Sequence, residues 1–263
     1  MRLIDGAHAI LGDLPSQATH LVDVPMEAGE ALDTGVHRFS SILTVRDRVT
    51  FELRALESPV VTVGGDCGAD LASVQHAVRT NLPGSMALLW FDAHADLNDG
   101  ESSDSGAFGG MVLRALLGDG PDGLGSNNGE AVAADHLVLA GVRALDDGES
   151  DYIDAAGIRL LSVDELRSTD ALLAALEATG ASRVYIHIDL DVLDPAAIAG
   201  VGYPEPFGLE PERLSDLIRS VRRRFDLAGA AVTGFAPESL EAANHDLPVI
   251  LRVLGALTAP VAA

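Results

Sequence analysis

The chain has 263 residues, and 48% of them are hydrophobic but only 4% aromatic, so aliphatic side chains must fill its core. Its 40 acidic residues face 17 arginines and no lysine, which gives a formal net charge of −23. A surface of this sign repels nucleic acid and anionic membranes, so neither is expected as a partner.

Short runs rich in Val, Ile and Leu alternate with helical patterns along the chain. The apolar runs predict strands at 60–63, 86–91, 136–140, 159–162, 184–188 and 230–235. The patterns between them predict helices at 36–56, 69–80, 111–117, 163–178, 211–225 and 248–257. Continuously apolar strands that alternate with helices are typical of a parallel sheet covered on both faces. No repeat or long linker divides the sequence, which predicts one α/β domain over residues 1–263.

Cys67 is the only cysteine, so no internal disulfide can form and a reducing compartment is expected. The first ten residues lack a basic region followed by a long apolar run, which predicts no signal peptide. No apolar stretch approaches the roughly 20 residues that a membrane helix needs. These features together predict a cytoplasmic protein.

Polar side chains follow three of the predicted strands, in the segments GGDC (64–67), DAHAD (92–96) and DLDVLDP (189–195). In an open parallel sheet, ligands bind outside the carboxyl ends of the strands, so these segments are expected to meet at one edge. Together they offer four carboxylates, one imidazole and one thiol. The residues concerned are Cys67, Asp92, His94, Asp96, Asp189 and Asp191.

A solvated strand end is the ordinary explanation for any one of these segments. In a shared cleft, however, their carboxylates would repel one another unless divalent cations neutralised them. Oxygen donors with one imidazole suit manganese or another first-row ion, and the number of carboxylates indicates a pair of ions. Two ions about 3.5–4 Å apart lower the pKa of a shared water, which creates a hydroxide nucleophile near neutral pH.

The segments GGDC, DAHADLN and DLDVLDP resemble the signature blocks of the ureohydrolases (arginase, agmatinase and formimidoylglutamase), whose usual forms are GGDH, DAHxDxN and DxDxxDP. The resemblance extends from about residue 64 to residue 206. It implies an arginase-like three-layer α/β/α sandwich with a central, mostly parallel sheet. It also implies a binuclear manganese centre that hydrolyses a guanidino or amidino C–N bond of an amino-acid-like substrate, releasing urea or an analogue. Homo-oligomers, trimers or hexamers, are implied as well.

Carried over by position, the resemblance implies six metal ligands. The bridging ligands are Asp92 and Asp189, those of the first ion are Cys67 and Asp96, and those of the second ion are His94 and Asp191. Asp96 would also be catalytic, because it would accept a hydrogen bond from the attacking hydroxide. Cys67 stands in the place of a histidine, and its softer thiolate opens the first site to iron, cobalt, nickel or zinc.

Substrate-side positions of the family are partly retained. Asn98 and Ser105 match residues that hold the amino acid's carboxylate in arginases. Asp146 matches the group that recognises the α-amino group, with Glu149 nearby. Ordinary loop residues and a helix cap explain the same positions without a ligand. Tyr203 replaces a threonine of agmatinase-like members and would reshape the pocket floor.

Two groups expected from the resemblance are missing. Gly109 stands where the family has a histidine that helps to protonate the leaving group, a contribution worth roughly 10²–10⁴ in rate. His187 or His245 would have to supply that proton, although a structural role explains either histidine. Gly234 stands where the family has a glutamate that pairs with the guanidinium. Glu238 is predicted as its catalytic substitute, or alternatively as an N-terminal residue of the last helix.

Three hypotheses follow. The first is a metal-dependent hydrolase of linear amidines. The second is a catalytically impaired metal-binding protein of the ureohydrolase fold with a structural or regulatory role, motivated by Gly109 and Gly234. The third is a hydrolase of another amide-like substrate with deacetylase-like chemistry, against which Asn98 and Asp146 weigh.

Overall fold

The computed structural model describes residues 2–56, 59–126 and 129–260, and a parallel sheet lies at its centre. The strands are β1 (Val61–Val63), β2 (Met86–Phe91), β3 (Leu137–Ala140), β4 (Arg159–Leu161), β5 (Arg183–Asp189) and β6 (Asp226–Thr233). They pair in the order β1-β6-β5-β2-β3-β4, and every pair is parallel. All six predicted strands are therefore confirmed.

Helices precede, connect and follow the strands. They are α1 (Arg2–Leu11), α2 (Phe39–Leu53), α3 (Leu71–Thr80), α4 (Val112–Arg114), α5 (Asp147–Ala156), α6 (Thr169–Glu177), α7 (Pro211–Arg224) and α8 (Leu240–Thr258). Helix α4 continues directly into a π-helical stretch, Ala115–Asp119. Among the residues that the structure describes, no helix is both long and apolar enough to cross a membrane.

Helices α1, α5 and α8 differ most from the prediction, and α5 was indicated only by the alternative that Asp146 caps a helix. Helix α1 was not predicted, because Gly6 at its centre lowers helix propensity. A Cβ at that position would lie 2.1 Å from the carbonyl oxygen of Phe235, so close packing requires the glycine. Helix α8 begins at Leu240 rather than at Pro248, because Ser239 caps it by accepting the N–H of Ala242 at 3.1 Å.

Both faces of the sheet are covered. On β2, Leu89 and Phe91 face a core shared with α1, α6, α7 and α8, whereas Leu88 and Trp90 face a core shared with α2, α3, α4 and α5. Burial on both faces explains why the strands are continuously apolar. The predicted three-layer α/β/α sandwich is therefore confirmed.

The sheet order brings the three polar segments to one edge. Strand β2 pairs with β5 in a register that places Phe91 opposite Ile188, so the residues that follow the two strands emerge side by side. Strand β6 pairs with the other side of β5 and with β1, which carries the GGDC segment.

Candidate metal centre

A thiol, an imidazole and three carboxylates meet at the carboxyl ends of β1, β2 and β5. Cys67 Sγ lies 3.1 Å from Asp189 Oδ2 and 3.5 Å from Asp92 Oδ2. On the other side of Asp92, His94 Nδ1 lies 3.5 Å from Asp92 Oδ1 and 3.1 Å from Asp191 Oδ2. Asp92 therefore contacts both halves of the cluster.

Main-chain hydrogen bonds fix the direction of each carboxylate. Asp92 Oδ1 accepts the N–H of His94 at 2.7 Å, and Asp189 Oδ1 accepts that of Asp191 at 2.9 Å. Asp191 Oδ1 accepts the N–H of Ala93 at 3.1 Å, which ties the two segments together. In each case one oxygen is held by the backbone, and the Oδ2 atoms face the thiol or the imidazole. Alternating aspartates suit this role because their short side chains reach their own following N–H groups.

Asp96 occupies a strained position beside these residues. Its φ is +55°, in the left-handed region that few non-glycine residues adopt. The backbone is held there because the carbonyl oxygen of Asp96 accepts the N–H groups of Leu113 at 3.1 Å and Arg114 at 3.3 Å. Its Oδ2 atom is buried and has no hydrogen-bond partner among the described residues. Leaving a buried carboxylate oxygen unpaired costs free energy, so a bound ligand at this atom would stabilise the protein.

Burial and mutual repulsion raise the pKa values of the acidic groups in the cluster. Burial, and next the neighbouring Asp191, raise the pKa of Asp189 to about 6. Burial and then Asp92 raise the pKa of Asp191, also to about 6. Burial with Asp92 and Asp189 raises the pKa of Asp96 well above its usual value, and burial with Asp96 and Asp189 does the same for the Cys67 thiol.

The donor set suits divalent metal ions. The structure forms two groups in which all potential ligand atoms lie within 4.8 Å of one another. The first consists of Cys67, Asp92 and His187, and the second of Asp92, His94 and Asp191. Among the described residues, no arginine pairs with these carboxylates. The imidazole of His94 lies against them, where hydrogen bonds to Asp191 and Asp92 outweigh burial and raise its pKa to about 11. Arg143 lies nearby but donates to the main-chain oxygen of Asp191, at 2.8 Å. Cations are therefore the natural counter-charge, and the orphaned oxygen of Asp96 adds a further donor.

The comparisons with known proteins agree with this arrangement. A family model described as the arginase family matches residues 9–253. The chain belongs to the arginase family. It is 29% identical to the N(omega)-hydroxy-L-arginine amidinohydrolase of Streptomyces lavendulae over 81% of this chain and 74% of that protein. It is 31% identical to an arginase of Staphylococcus aureus over 68% of this chain and 62% of that protein. The solved arginase of Entamoeba histolytica, in complex with L-ornithine, superposes with a TM-score of 0.86 at 19% identity, covering 99% of this chain and 94% of that chain.

The predicted substrate residues are only partly brought together. Asn98 Nδ2 donates to Asp146 Oδ2 at 2.8 Å, and Asn98 Oδ1 accepts the hydroxyl of Ser102 at 2.9 Å. Asp146 is exposed. Ser105 is also exposed, and its Oγ accepts the N–H of Ala107 at 3.2 Å within its own loop. Asn98 and Asp146 therefore form a hydrogen-bonded pair, called here the Asn98–Asp146 rim. Among the described residues, Ser105 makes no hydrogen bond to this pair.

Glu149 holds the main chain beside the other predicted substrate residues. It is only 4% exposed, and its two oxygens accept the main-chain N–H groups of Leu97 at 3.0 Å and Asp146 at 3.1 Å. It thereby joins the loop after β2 to the start of α5. These contacts give Glu149 a positioning role, and the predicted substrate contact stays a prediction.

We expect Glu149→Ala to lower the free energy of unfolding by about 2–3 kcal/mol, because two main-chain N–H groups lose their buried acceptor. For a chain of this size the melting temperature should fall by about 5–10 °C. Thermal unfolding followed by circular dichroism measures the change. Asp147→Ala, an exposed acidic residue in the same helical turn, is the matched control; an equal loss there would contradict the assignment.

The positions of the two missing family groups are well defined. A Cβ at Gly109 would lie 3.4 Å from the Cβ of Asp66, at the near limit of ordinary contact with the GGDC segment. At Gly234 the φ is +84°, and a Cβ would lie 2.2 Å from Asp189 Oδ1, so no side chain fits. Glu238 does not join the buried cluster, because its side chain is 79% exposed and lies 4.0 Å from Arg2. It directly precedes Ser239, the cap of α8, so it lies just outside the last helix, in which the alternative prediction placed it.

His187 was not predicted as a metal ligand but only as a proton donor. The structure places it in the first group of potential ligands. The signal was present, because His187 lies two residues before Asp189 and alternate residues of a strand share a face.

Proposed function

We propose that this chain is a metal-dependent hydrolase of a guanidino or amidino C–N bond in an amino-acid-like substrate. The observation that carries the proposal is the buried convergence of four carboxylates, one thiol and one imidazole from three strand ends. The amidinohydrolase and arginase named among its relatives support the same reaction class.

Two divalent ions would be held by the converging side chains. Asp92 and Asp189 would be shared, with Cys67 and Asp96 on the first ion and with His94 and Asp191 on the second. When bound, such a pair of ions activates water near neutral pH and polarises the group under attack. Manganese is the ion that the family resemblance implies, and the thiolate of Cys67 also suits zinc, cobalt, nickel or iron.

Asp96 would have a second task in the reaction. Its Oδ2 atom is buried and unpaired, so it is available to accept a hydrogen bond or a proton from the attacking water. Burial with Asp92 and Asp189 raises its pKa, which makes it a stronger proton acceptor than an exposed aspartate. Its strained backbone keeps the carboxylate in place.

The substrate's amino-acid end would lie at the Asn98–Asp146 rim. The exposed carboxylate of Asp146 attracts an α-amino group, and Asn98 orients that carboxylate through their 2.8 Å hydrogen bond. At the other half of the centre, the Tyr203 ring approaches His94 edge-on with centroids 6.3 Å apart. A planar amidinium can stack on such an exposed ring, which offers a cationic group an anchor where Gly234 provides none.

We also propose that residues 1–263 act as one domain and assemble into homo-oligomers. In support of one domain, α1 and α8 from opposite ends of the chain pack into the same core through Ile10 and Leu257.

The reaction is tested with purified protein loaded with manganese, zinc, cobalt or nickel. Release of urea or ammonia is measured from arginine, N-hydroxyarginine, agmatine, guanidinobutyrate and formimidoylglutamate. Turnover of one of these substrates, lost on chelation, supports the proposal. Stoichiometric metal without turnover of any of them supports the impaired, metal-binding alternative instead.

Metal removal should destabilise the protein, because the buried carboxylates lose their counter-charge. A ligand present at 100 times its dissociation constant contributes about 2.7 kcal/mol. We therefore expect chelation to lower the melting temperature by about 5–10 °C and added manganese to restore it. Differential scanning calorimetry measures the shift. A melting temperature that is the same with chelator and with metal would count against a metal centre.

Gly109→His should raise kcat, because it returns the proton donor that the family has at this position. General acid help is worth roughly 10²–10⁴, and we expect at least a tenfold gain. Gly109→Asn adds a side chain of similar reach without an ionisable group and should bring no gain. Steady-state rates on the best substrate compare the two variants, and equal rates would contradict the prediction.

A further inference from the structure

A buried histidine beside the candidate metal centre has no part in the proposed reaction. His187 lies on β5 and is fully buried. One of its ring nitrogens, Cys67 Sγ and a carboxylate oxygen of Asp92 all lie within 4.8 Å of one another. This places the imidazole at the first ion's site, where the GGDC segment offers a thiol in the place of the family's histidine.

The surrounding residues fix the ring and leave Nε2, which hydrogen-bonds the Thr233 hydroxyl, on the side of the cluster. His187 Nδ1 lies 2.9 Å from Oδ2 of Asp70, a fully buried carboxylate. The ring stacks on Trp90 with centroids 3.4 Å apart and planes 5° from parallel. His187 Nε2 then lies 3.3 Å from Thr233 Oγ1, which is itself 3.6 Å from Cys67 Sγ.

This arrangement is the usual one for a metal-bound histidine. Such residues donate their second ring N–H to a carboxylate, which sets the tautomer and the ring orientation. We propose that His187 binds the first ion through Nε2, together with Cys67 and Asp92, and that Asp70 is its positioning residue. The inference rests on the proposed function, because it assigns a further ligand to one of that function's two ions.

The consequence is a difference between the two sites. Thiolate and imidazole are donors that zinc, cobalt and iron prefer, whereas manganese prefers oxygen. The first site, with Cys67 and His187, therefore favours zinc over manganese. The second site keeps the shared Asp92 and Asp189 with Asp191 and the His94 imidazole, and suits manganese.

X-ray absorption at the zinc edge tests the ligand directly. In His94→Ala, the other imidazole of the centre is gone, and one equivalent of zinc is added. We expect a sulfur neighbour at about 2.3 Å together with the outer-shell scattering of one imidazole. The imidazole signal should disappear in the double variant with His187→Gln. Zinc bound to sulfur without imidazole scattering in His94→Ala would overturn the proposal, and that measurement leaves His187 itself intact.

Asp70→Asn tests the positioning residue without removing the ligand. We expect a 10–100-fold loss of zinc affinity, measured by competition with a chromophoric chelator. Asp246→Asn makes the same chemical change at another buried carboxylate, which accepts the N–H groups of Ala199 and Gly200, and should leave the affinity unchanged. Equal affinities for the two variants would refute the role of Asp70.

The outcome is distinguishable from failure of the proposed function. The wild-type protein could bind two ions and hydrolyse an amidine while the His94→Ala variant shows no imidazole at zinc. That result would refute His187 as a ligand and leave the proposed function standing. Wild-type protein that binds neither zinc nor manganese would refute the function, and the inference with it.

Discussion

Replacement of Asp92 by asparagine is expected to cost the protein at least one metal ion and most of its amidine hydrolysis together. Asp92 is 1% exposed and contacts both the Cys67 half and the His94 half of the cluster. Removing its charge weakens the binding of both ions at once, and bound ions lower the barrier of such a reaction by several kcal/mol. We therefore expect metal content to fall from two ions to one or none and kcat to fall by at least about 10³.

Asp194→Asn is the matched control for Asp92→Asn. Asp194 belongs to the same DLDVLDP segment, but its oxygens accept the N–H groups of Ala196 at 2.9 Å and Gly208 at 3.1 Å. It should keep both ions and full turnover. Elemental analysis and steady-state kinetics on the two purified variants make the comparison. Full metal content and activity in Asp92→Asn would remove the basis of the proposed function.

Much of the fold could be predicted because it depends on patterns that repeat. The central strand β2 is continuously apolar because it is buried on both faces, and short apolar runs indicated all six strands. The convergence of the polar segments followed from the same result, because parallel strands end at one edge. Helix α1 was missed because its packing against Phe235 overrides the low helix propensity of Gly6.

The candidate site was less predictable wherever a residue's role depends on tertiary contacts. Glu149 was placed near the substrate, but only the structure shows its carboxylate between Leu97 and Asp146. His187 needs a buried carboxylate 117 residues away, Asp70, to orient its ring. Long-range pairs of this kind leave no periodic signal in the sequence.

Gly234→Ala is expected to disrupt the metal centre although it adds only one methyl group. The φ of +84° costs a non-glycine residue about 1–2 kcal/mol. The new Cβ would also lie 2.2 Å from Asp189 Oδ1, so this carboxylate must turn away from Cys67. We expect loss of at least one ion and a fall in kcat of at least about 10². For the same reason, Gly234→Glu should not restore the family's missing glutamate.

Gly180→Ala separates the two causes of that loss. Gly180 has a φ of +74° but nothing within 4 Å of its Cβ position, so its substitution carries only the backbone cost. It should lower the melting temperature by about 2–8 °C and keep both ions and full turnover. Metal content and rates of the two variants are then compared directly. If Gly234→Ala also keeps two ions at full activity, the displaced carboxylate of Asp189 is not needed by the centre. That result would contradict the proposal that Asp189 is a shared ligand.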